Sequence, residues 1–205
     1  MVTVVEGDLP ASLALELASA PEVAWDTETS GLEWRSDRLN LCQLHAPAVG
    51  TVLVRIGEQR PERLAALLSD PGVVKVFHHA PFDLRFMRVA WDARASNVRC
   101  TKVASKLLSP DAPSRDHSLA HLVWTHLQVR LAKGVVRTSD WSARELSDAQ
   151  VEYAAGDVEY LLPLHRMLHT ELESADLSAV YERCCSFLPT QVDVTLMGIT
   201  DVFAY

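Results

Sequence analysis

The chain has 205 residues, and 48% of them are hydrophobic, which is enough for one globular domain with a sizeable core. Four cysteines (Cys42, Cys100, Cys184 and Cys185) form no Cys-x-x-Cys pair, so neither a zinc ribbon nor a disulfide framework is indicated. The N-terminus lacks a basic and apolar leader, and no apolar run approaches the length of a membrane span. We therefore expect a protein of the reducing cytoplasm without a membrane partner.

The net charge of −8 argues at first against a nucleic-acid partner, but the charges are unevenly distributed. Residues 75–144 carry 12 Lys and Arg against 5 acidic residues, whereas residues 1–74 carry 5 against 11 and residues 145–205 carry 2 against 11. The basic central third could form a local phosphate-binding surface. Alternatively its cations scatter over several faces, because a block of sequence need not be a patch in space.

Short apolar or alternating segments predict strands at residues 2–5, 23–28, 39–44, 51–56, 73–77 and 97–100. Helical spacing of apolar residues predicts helices at residues 10–20, 61–68, 101–108 and 118–128, and further helices that begin near residues 81 and 147. Strands that first follow one another and then alternate with helices indicate a mixed α/β sheet with helices packed on its faces.

Two carboxylates end the second predicted strand, in the sequence Val23-Ala24-Trp25-Asp26-Thr27-Glu28. Alternate side chains of a strand share a face, so Asp26 and Glu28 point the same way. Adjacent anions resist burial unless a cation lies between them, and Mg²⁺ prefers oxygen ligands of this kind. A solvated acidic turn is the alternative interpretation.

A third carboxylate follows the predicted strand at residues 73–77, in His78-His79-Ala80-Pro81-Phe82-Asp83. Pro81 is typical of the first turn of a helix, where exposed N–H groups also favour an acidic residue. Asp83 is therefore either a helix-start acid or a further member of an acidic site.

A capping box of Ser147 and Gln150 predicts the start of a late helix. That helix brings Tyr153 and Asp157 onto one face, one turn apart. The alternative interpretation has a half-buried tyrosine and an aspartate in a surface pair.

Taken together and in this order, Asp26-x-Glu28, Asp83 and Tyr153-x-x-x-Asp157 resemble the three motifs of the DEDD 3′→5′ exonuclease superfamily in its tyrosine-bearing form. The motifs are also similar to those in the catalytic domain of the ribonuclease D family. The resemblance implies a ribonuclease H-like fold with a mixed five-stranded sheet flanked by helices. We expect residues 1–205 to form a single exonuclease domain, without the helical nucleic-acid-binding domains of fuller family members.

The resemblance also implies roles for the site residues. Asp26, Glu28, Asp83 and Asp157 would hold two divalent ions, Mg²⁺ or Mn²⁺, with Asp26 bridging them. Tyr153 would orient the attacking water, because a tyrosine of ordinary pKa is a weak base. Leu32 would pack against the terminal base of the substrate.

We expect the substrate to be single-stranded nucleic acid entered from its 3′ end, with RNA favoured and 5′-mononucleotides released. The candidates for following its phosphates are Lys102, Lys106, Lys133, Arg137 and Arg144. Trp141 is either a stacking platform for a base or an anchor in the core. A DNA proofreading or accessory exonuclease and a non-catalytic nucleic-acid-binding module are the alternatives, and the oligomeric state is left open.

Overall fold

The computed structural model of the chain describes residues 1–131, 136, 139–143 and 145–204. In this part of the chain six strands form one sheet: β1 (Val2–Glu6), β2 (Glu22–Thr29), β3 (Leu39–Ala46), β4 (Gly50–Arg55), β5 (Val74–Phe77) and β6 (Val98–Cys100). The helices described around it are α1 (Ala11–Ala18), α2 (Glu62–Ser69), α3 (Ala80–Trp91), α4 (Thr101–Leu108), a 3-10 helix (Ser114–His117), α5 (Leu119–Leu127), α6 (Asp148–Glu159), α7 (Leu161–Ser174) and α8 (Ser178–Leu196).

The sheet is mixed, as predicted, with the strand order β1-β4-β3-β2-β5-β6. Strands β2, β3 and β4 form an antiparallel meander, while β1 pairs in parallel with β4, β5 with β2, and β6 with β5. The expectation of five strands is corrected to six among the described residues, because Val98–Cys100 adds a short edge strand beside β5.

Alternate residues of β2 face opposite layers of helices. Ala24 packs with Val158 and Leu161 on the side of α6 and α7. The Trp25 ring instead stacks on Phe77 in the main core, with 6.1 Å between the ring centroids. The strand period of two therefore places Asp26 and Glu28 on the α6 side of the sheet.

Strand β2 extends past the end of its neighbour β5. The two strands pair only from Glu22 to Ala24, opposite Val74 to Val76. Beyond Ala24 this edge of β2 has no pairing with β5, and the chain after β5 turns at His79 into helix α3. His79 adopts a left-handed backbone conformation with φ of 67°, which is uncommon outside glycine and makes this turn abrupt. The first turn of α3 therefore lies beside the acidic end of β2.

None of the helices formed by the described residues combines the length and the apolar character that crossing a membrane would require.

Candidate active site

Three carboxylates meet above the end of β2. The nearest oxygens of Asp26, Glu28 and Asp157 all lie within 4.8 Å of one another, and no other group of this kind is found among the described residues. Asp26 and Glu28 share one face of β2, as predicted, and α6 brings Asp157 to them. Oxygen ligands at this spacing suit a hard divalent cation.

The start of α6 is fixed by the predicted capping box. The Ser147 side chain accepts a hydrogen bond from the Gln150 backbone N–H, and the Gln150 side chain accepts one from the Ser147 backbone N–H. Gln150 Nε2 also donates to Ser139 Oγ at 3.0 Å and to the Asp140 carbonyl at 3.1 Å. These bonds hold the helix that carries Tyr153 and Asp157.

Asp83 approaches the site from the other face of the sheet. Its carboxylate is only 2% exposed, and Thr27 Oγ1 donates a hydrogen bond of 2.6 Å to Asp83 Oδ1. Asp83 does not belong to the group whose oxygens lie within 4.8 Å. It is nevertheless close enough for its charge to act on Asp26, and it is therefore an acidic-site residue in addition to a helix-start acid.

Burial and mutual repulsion disfavour ionisation of these carboxylates. The pKa of Asp26 is raised well above its usual value, first by burial and then by the charges of Asp83, Asp157 and Glu28. Burial raises the pKa of Asp83 to about 7, against the hydrogen bond from Thr27, which lowers it. Burial also raises the pKa of Asp157 to about 6, and hydrogen bonding from Tyr153 opposes this rise. A bound cation would relieve this repulsion.

Tyr153 lies one turn before Asp157 on α6, and the two side chains act on each other's pKa. Burial and the charges of Asp157, Glu28 and Asp26 raise the pKa of the Tyr153 hydroxyl above its usual value. The hydroxyl therefore keeps its proton at neutral pH and can orient a neighbouring group through hydrogen bonds.

The placement of Trp141 favours the core-anchor interpretation over the stacking platform. Its side chain is 3% exposed and packs with Leu41, Leu53 and Ala154 between the sheet and α6. Its ring lies 6.0 Å from the Tyr153 ring, centroid to centroid, with a tilt of 43°. In this position Trp141 supports Tyr153 and does not offer an open face to a base.

Two polar neighbours of the site were not predicted. Thr27 lies inside the acidic motif but on the opposite face, so only the packing of α3 against β2 reveals its bond to Asp83. Gln43 of β3 stands opposite Asp26 and donates from Nε2 to Glu28 Oε1 at 3.4 Å. The signal available in the sequence was a glutamine within an otherwise largely apolar predicted strand, and the structure buries Gln43 completely.

Lys102 and Lys106 of α4 lie in a group of cations near the start of α3. The pKa of His79 falls to about 4, first through desolvation of the ring and then through the charges of Lys102, Arg85 and Lys106. Lys133, Arg137 and Arg144, also predicted to follow phosphates, lie outside the described residues. Leu32, on the loop after β2, is 82% exposed.

The described cations of the basic central block do not lie on one surface. Arg88 and Arg94 both pair with Asp193 of α8, at 3.3 and 3.2 Å, and Arg99 pairs with Glu182 of the same helix at 2.6 Å. Lys75 is fully buried, and its ammonium group donates to the carbonyl of Asp70. These placements favour the alternative of scattered cations, with a smaller group around α4.

The model of the 3′-5′ exonuclease family matches residues 1–173. Ribonuclease D of Haemophilus influenzae is 33% identical over 150 residues, which are 73% of this chain and 37% of that protein. DNA polymerase I of Aquifex aeolicus is 35% identical over 161 residues, 78% of this chain and 26% of the polymerase. The chain thus spans well under half the length of these curated relatives.

Among solved structures, NrnC of Brucella melitensis with bound Mg²⁺ is similar over 100% of this chain and 99% of its own, with a TM-score of 0.90 and 36% identity. The same protein bound to pGG gives a TM-score of 0.91 and 35% identity, covering 100% of this chain and 98% of its own.

The contribution of Asp83 to the stability of metal-free protein should fall as pH rises. Its folded pKa of about 7 exceeds the usual value of 3.8, so the folded state binds more protons between these values and the unfolding free energy falls as pH rises through them. In EDTA, wild type should therefore lose stability relative to Asp83→Asn between about pH 4 and pH 8, by a few kcal/mol. Melting temperatures of both proteins across this range make the comparison.

The prediction compares wild type with Asp83→Asn because three histidines also make the stability depend on pH. His78, His79 and His165 have pKa values lowered to about 3, 4 and 4, so their contribution to stability rises with pH, oppositely to that of Asp83. They contribute equally to both proteins. A pH-independent difference between wild type and Asp83→Asn would contradict the account of Asp83.

Thr27→Val should destabilise the protein by about 1–3 kcal/mol at roughly pH 8, because the buried Asp83 carboxylate loses its hydroxyl donor. Thr27→Ser keeps the donor and should cost clearly less. Urea unfolding in EDTA measures both. Equal losses would mean that the methyl group, which serine lacks, matters as much as the hydroxyl, which valine lacks, and would contradict the prediction.

Proposed function

The chain belongs to the 3′-5′ exonuclease family, and on this premise we propose that it removes nucleotides from the 3′ end of single-stranded RNA and releases 5′-mononucleotides. The proposal rests on the cluster of Asp26, Glu28 and Asp157. Asp83 of α3 lies near enough for its charge to raise the pKa of Asp26. A non-catalytic binding module would not need four carboxylates to be held together against their repulsion.

The four carboxylates fit divalent cations as ligands. The family pattern implies two such ions. Asp26, Glu28 and Asp157 would hold one ion and Asp83, together with Asp26, the other. Only oxygen atoms are offered, which suits Mg²⁺ and Mn²⁺. Such ions, when bound, supply Lewis acidity and positive charge at a phosphodiester. The raised pKa values of Asp26, Asp83 and Asp157 support this assignment, because a site built for cations carries unbalanced negative charge without them.

Tyr153 orients the attacking water in this proposal. Its hydroxyl stays protonated at neutral pH because its pKa is raised, so it positions the water by hydrogen bonding and does not remove a proton from it. The packing of Trp141 supports the Tyr153 ring from the core side.

The substrate phosphates are expected along the cations beside α4. Lys102 and Lys106 were predicted from the sequence, and Arg85 extends the group toward Asp83. Lys133, Arg137 and Arg144 remain predictions. Leu32 is exposed and able to pack against the terminal base. The complex of Brucella melitensis NrnC with pGG supports short RNA as a substrate of this chain.

A DNA 3′ end is the second candidate, because the similarity to DNA polymerase I covers 78% of the chain. The same carboxylates would serve either substrate. We also propose that residues 1–205 act as one exonuclease domain, and location in the cytoplasm stays a prediction from the cysteine pattern.

Labelled oligonucleotides test the function. Single-stranded RNA and DNA of one sequence, labelled at the 3′ or at the 5′ end, are incubated with Mg²⁺ or Mn²⁺. The proposal expects immediate release of the 3′ label as a 5′-mononucleotide, a stepwise ladder from the 5′-labelled strand, faster turnover of RNA, and no cleavage in EDTA. Release from the 5′ end or internal cleavage would refute it, and faster turnover of DNA would favour the second candidate.

Asp26→Asn, Asp83→Asn and Asp157→Asn should each lower kcat by about 10³-fold or more, and a double variant should lose little beyond that, because the carboxylates act as a unit. Asp148→Asn is the matched control, since Asp148 is an exposed aspartate at the start of the same helix as Asp157. A near-wild-type rate in any of the three would remove that residue from the proposed metal site.

Tyr153→Phe should lower turnover by about 10²–10⁴-fold while Mn²⁺ affinity stays near that of wild type, because only a positioned hydroxyl is lost. Asp157→Asn should weaken Mn²⁺ binding as well. Calorimetric Mn²⁺ titration beside single-turnover rates separates the two variants. If both lost metal affinity equally, Tyr153 would be a ligand-side or structural residue.

A further inference from the structure

A groove of about 610 Å³ opens between the loop after β2, the end of β4 and helix α3. We call it the Trp34 groove. Its wall includes Trp34, Arg35, Arg38, Asn40 and Phe86. Its volume lies in the range of sites for small organic ligands, which is about 300–1,000 Å³. No site residue assigned above lies in its wall apart from Trp141.

Three wall residues of the Trp34 groove are neighbours of residues at the active site. Leu39 lines it and pairs with Thr29, the residue after Glu28. Phe86 lines it from α3, three residues after Asp83. Trp141 lines it and contacts the Tyr153 ring. A chain whose 3′ end occupies the cluster can therefore continue into the groove.

The loop supplies a planar cation at the groove. The Arg35 guanidinium lies over the Trp34 ring, 4.1 Å from its centroid. The Arg35 side chain is 58% exposed, and its ion pair with Glu33 is 3.9 Å long with both partners exposed, so that pair contributes little. Unpaired nucleic-acid bases stack well on guanidinium planes and on aromatic rings.

One further group of the groove is available to a ligand. The guanidinium of Arg38 has no hydrogen-bond or ion-pair partner among the described residues, although backbone bonds to Ser30 fix its place in the loop. Three acids lie in the wall: Glu6 pairs with Arg55, Asp37 accepts the Glu33 backbone N–H, and Glu58 is exposed. A phosphate and a base thus find a cation and a stacking plane together.

We propose that the Trp34 groove binds the nucleotides that lie 5′ of the one being removed, with a base stacked on Arg35 and a phosphate paired with Arg38. The inference rests on the proposed function and adds a substrate-length preference to it. The groove would make longer single strands better substrates than a dinucleotide, which cannot reach it fully.

Rates on RNAs of increasing length test the proposal. Values of kcat/KM are measured for a dinucleotide, a trinucleotide and a hexanucleotide with wild type, Arg35→Ala and Arg38→Ala. Each variant should lose about ten-fold on the hexanucleotide, as expected for one stacking or phosphate contact, and less than about two-fold on the dinucleotide. Arg183→Ala is the matched control, because Arg183 is exposed on α8 and lines neither the groove nor the carboxylate cluster.

Conservative variants separate the two contacts. Arg38→Lys keeps the charge for a phosphate and should retain most of the hexanucleotide rate. Arg35→Lys keeps the charge but removes the planar guanidinium on which a base would stack, so it should behave like Arg35→Ala. Equal losses at every length would mean that the variants damage the loop and the cluster, and unchanged rates at every length would leave the groove without a role; either result overturns the proposal.

Binding measurements keep this test separate from the proposed function. Fluorescence anisotropy of the labelled RNAs in EDTA reports groove contacts without turnover. If wild type cleaves no RNA, the function fails, yet a hexanucleotide affinity that falls in Arg35→Ala and Arg38→Ala still supports the groove. If wild type cleaves RNA but the variants bind and cleave all lengths normally, the function stands and the groove proposal fails. Tight binding of a free mononucleotide, lost in the same variants, would make the groove a product site and also overturn the proposal.

Discussion

Repulsion among carboxylates held side by side at the end of β2 is the constraint on which the site depends. Burial already disfavours the charge of Asp26, and its three acidic neighbours add to the cost. Such a group does not persist by local preference, because four anions in a low-dielectric environment separate or protonate unless the scaffold holds them. Its presence therefore argues for a ligand of opposite charge and for a fold that opposes the repulsion.

The scaffold opposes it from both faces of one strand. Asp26 and Glu28 extend toward α6, whose start is fixed by a capping box, while Thr27 extends the other way and bonds to Asp83. This arrangement is available only because β5 stops pairing at the level of Ala24 and leaves space for the first turn of α3. A single strand thus ties two helices from opposite layers to one site, and its bond to Asp83 also favours the ionised form that a cation would need.

Most of the sheet and the acidic cluster could be predicted from sequence, because both depend on local rules. Alternation along β2 places its two carboxylates together, and the Ser147–Gln150 box sets the helix that carries Asp157. The ribonuclease D-like resemblance, which rests on the order of these motifs, is confirmed by the match to the 3′-5′ exonuclease family over residues 1–173. The expected number of five strands was wrong because it was taken from the family resemblance. The residue pattern itself indicated a sixth strand near residues 97–100.

The features that sequence did not predict are long-range. Thr27 and Asp83 are 56 residues apart, and no periodic rule relates them. The basic central block is divided because Arg88, Arg94 and Arg99 meet acids of α8 far along the chain. Trp141 is in the core because of what packs over it, which its Ser-Asp-Trp context does not reveal. Among the described residues, the cations Lys102, Lys106 and Arg85 still lie near the start of α3 beside the acidic site, in a protein whose net charge is −8. Local charge, and not net charge, then decides whether a nucleic acid binds.

The claim that these carboxylates exist to hold divalent cations is tested most directly by anomalous diffraction from crystals of the protein grown with Mn²⁺. The account predicts anomalous density among the side chains of Asp26, Glu28 and Asp157, with a second peak toward Asp83, and loss of the density in Asp26→Asn. Well-ordered carboxylates with no anomalous peak between them, at Mn²⁺ concentrations that support cleavage, would contradict it.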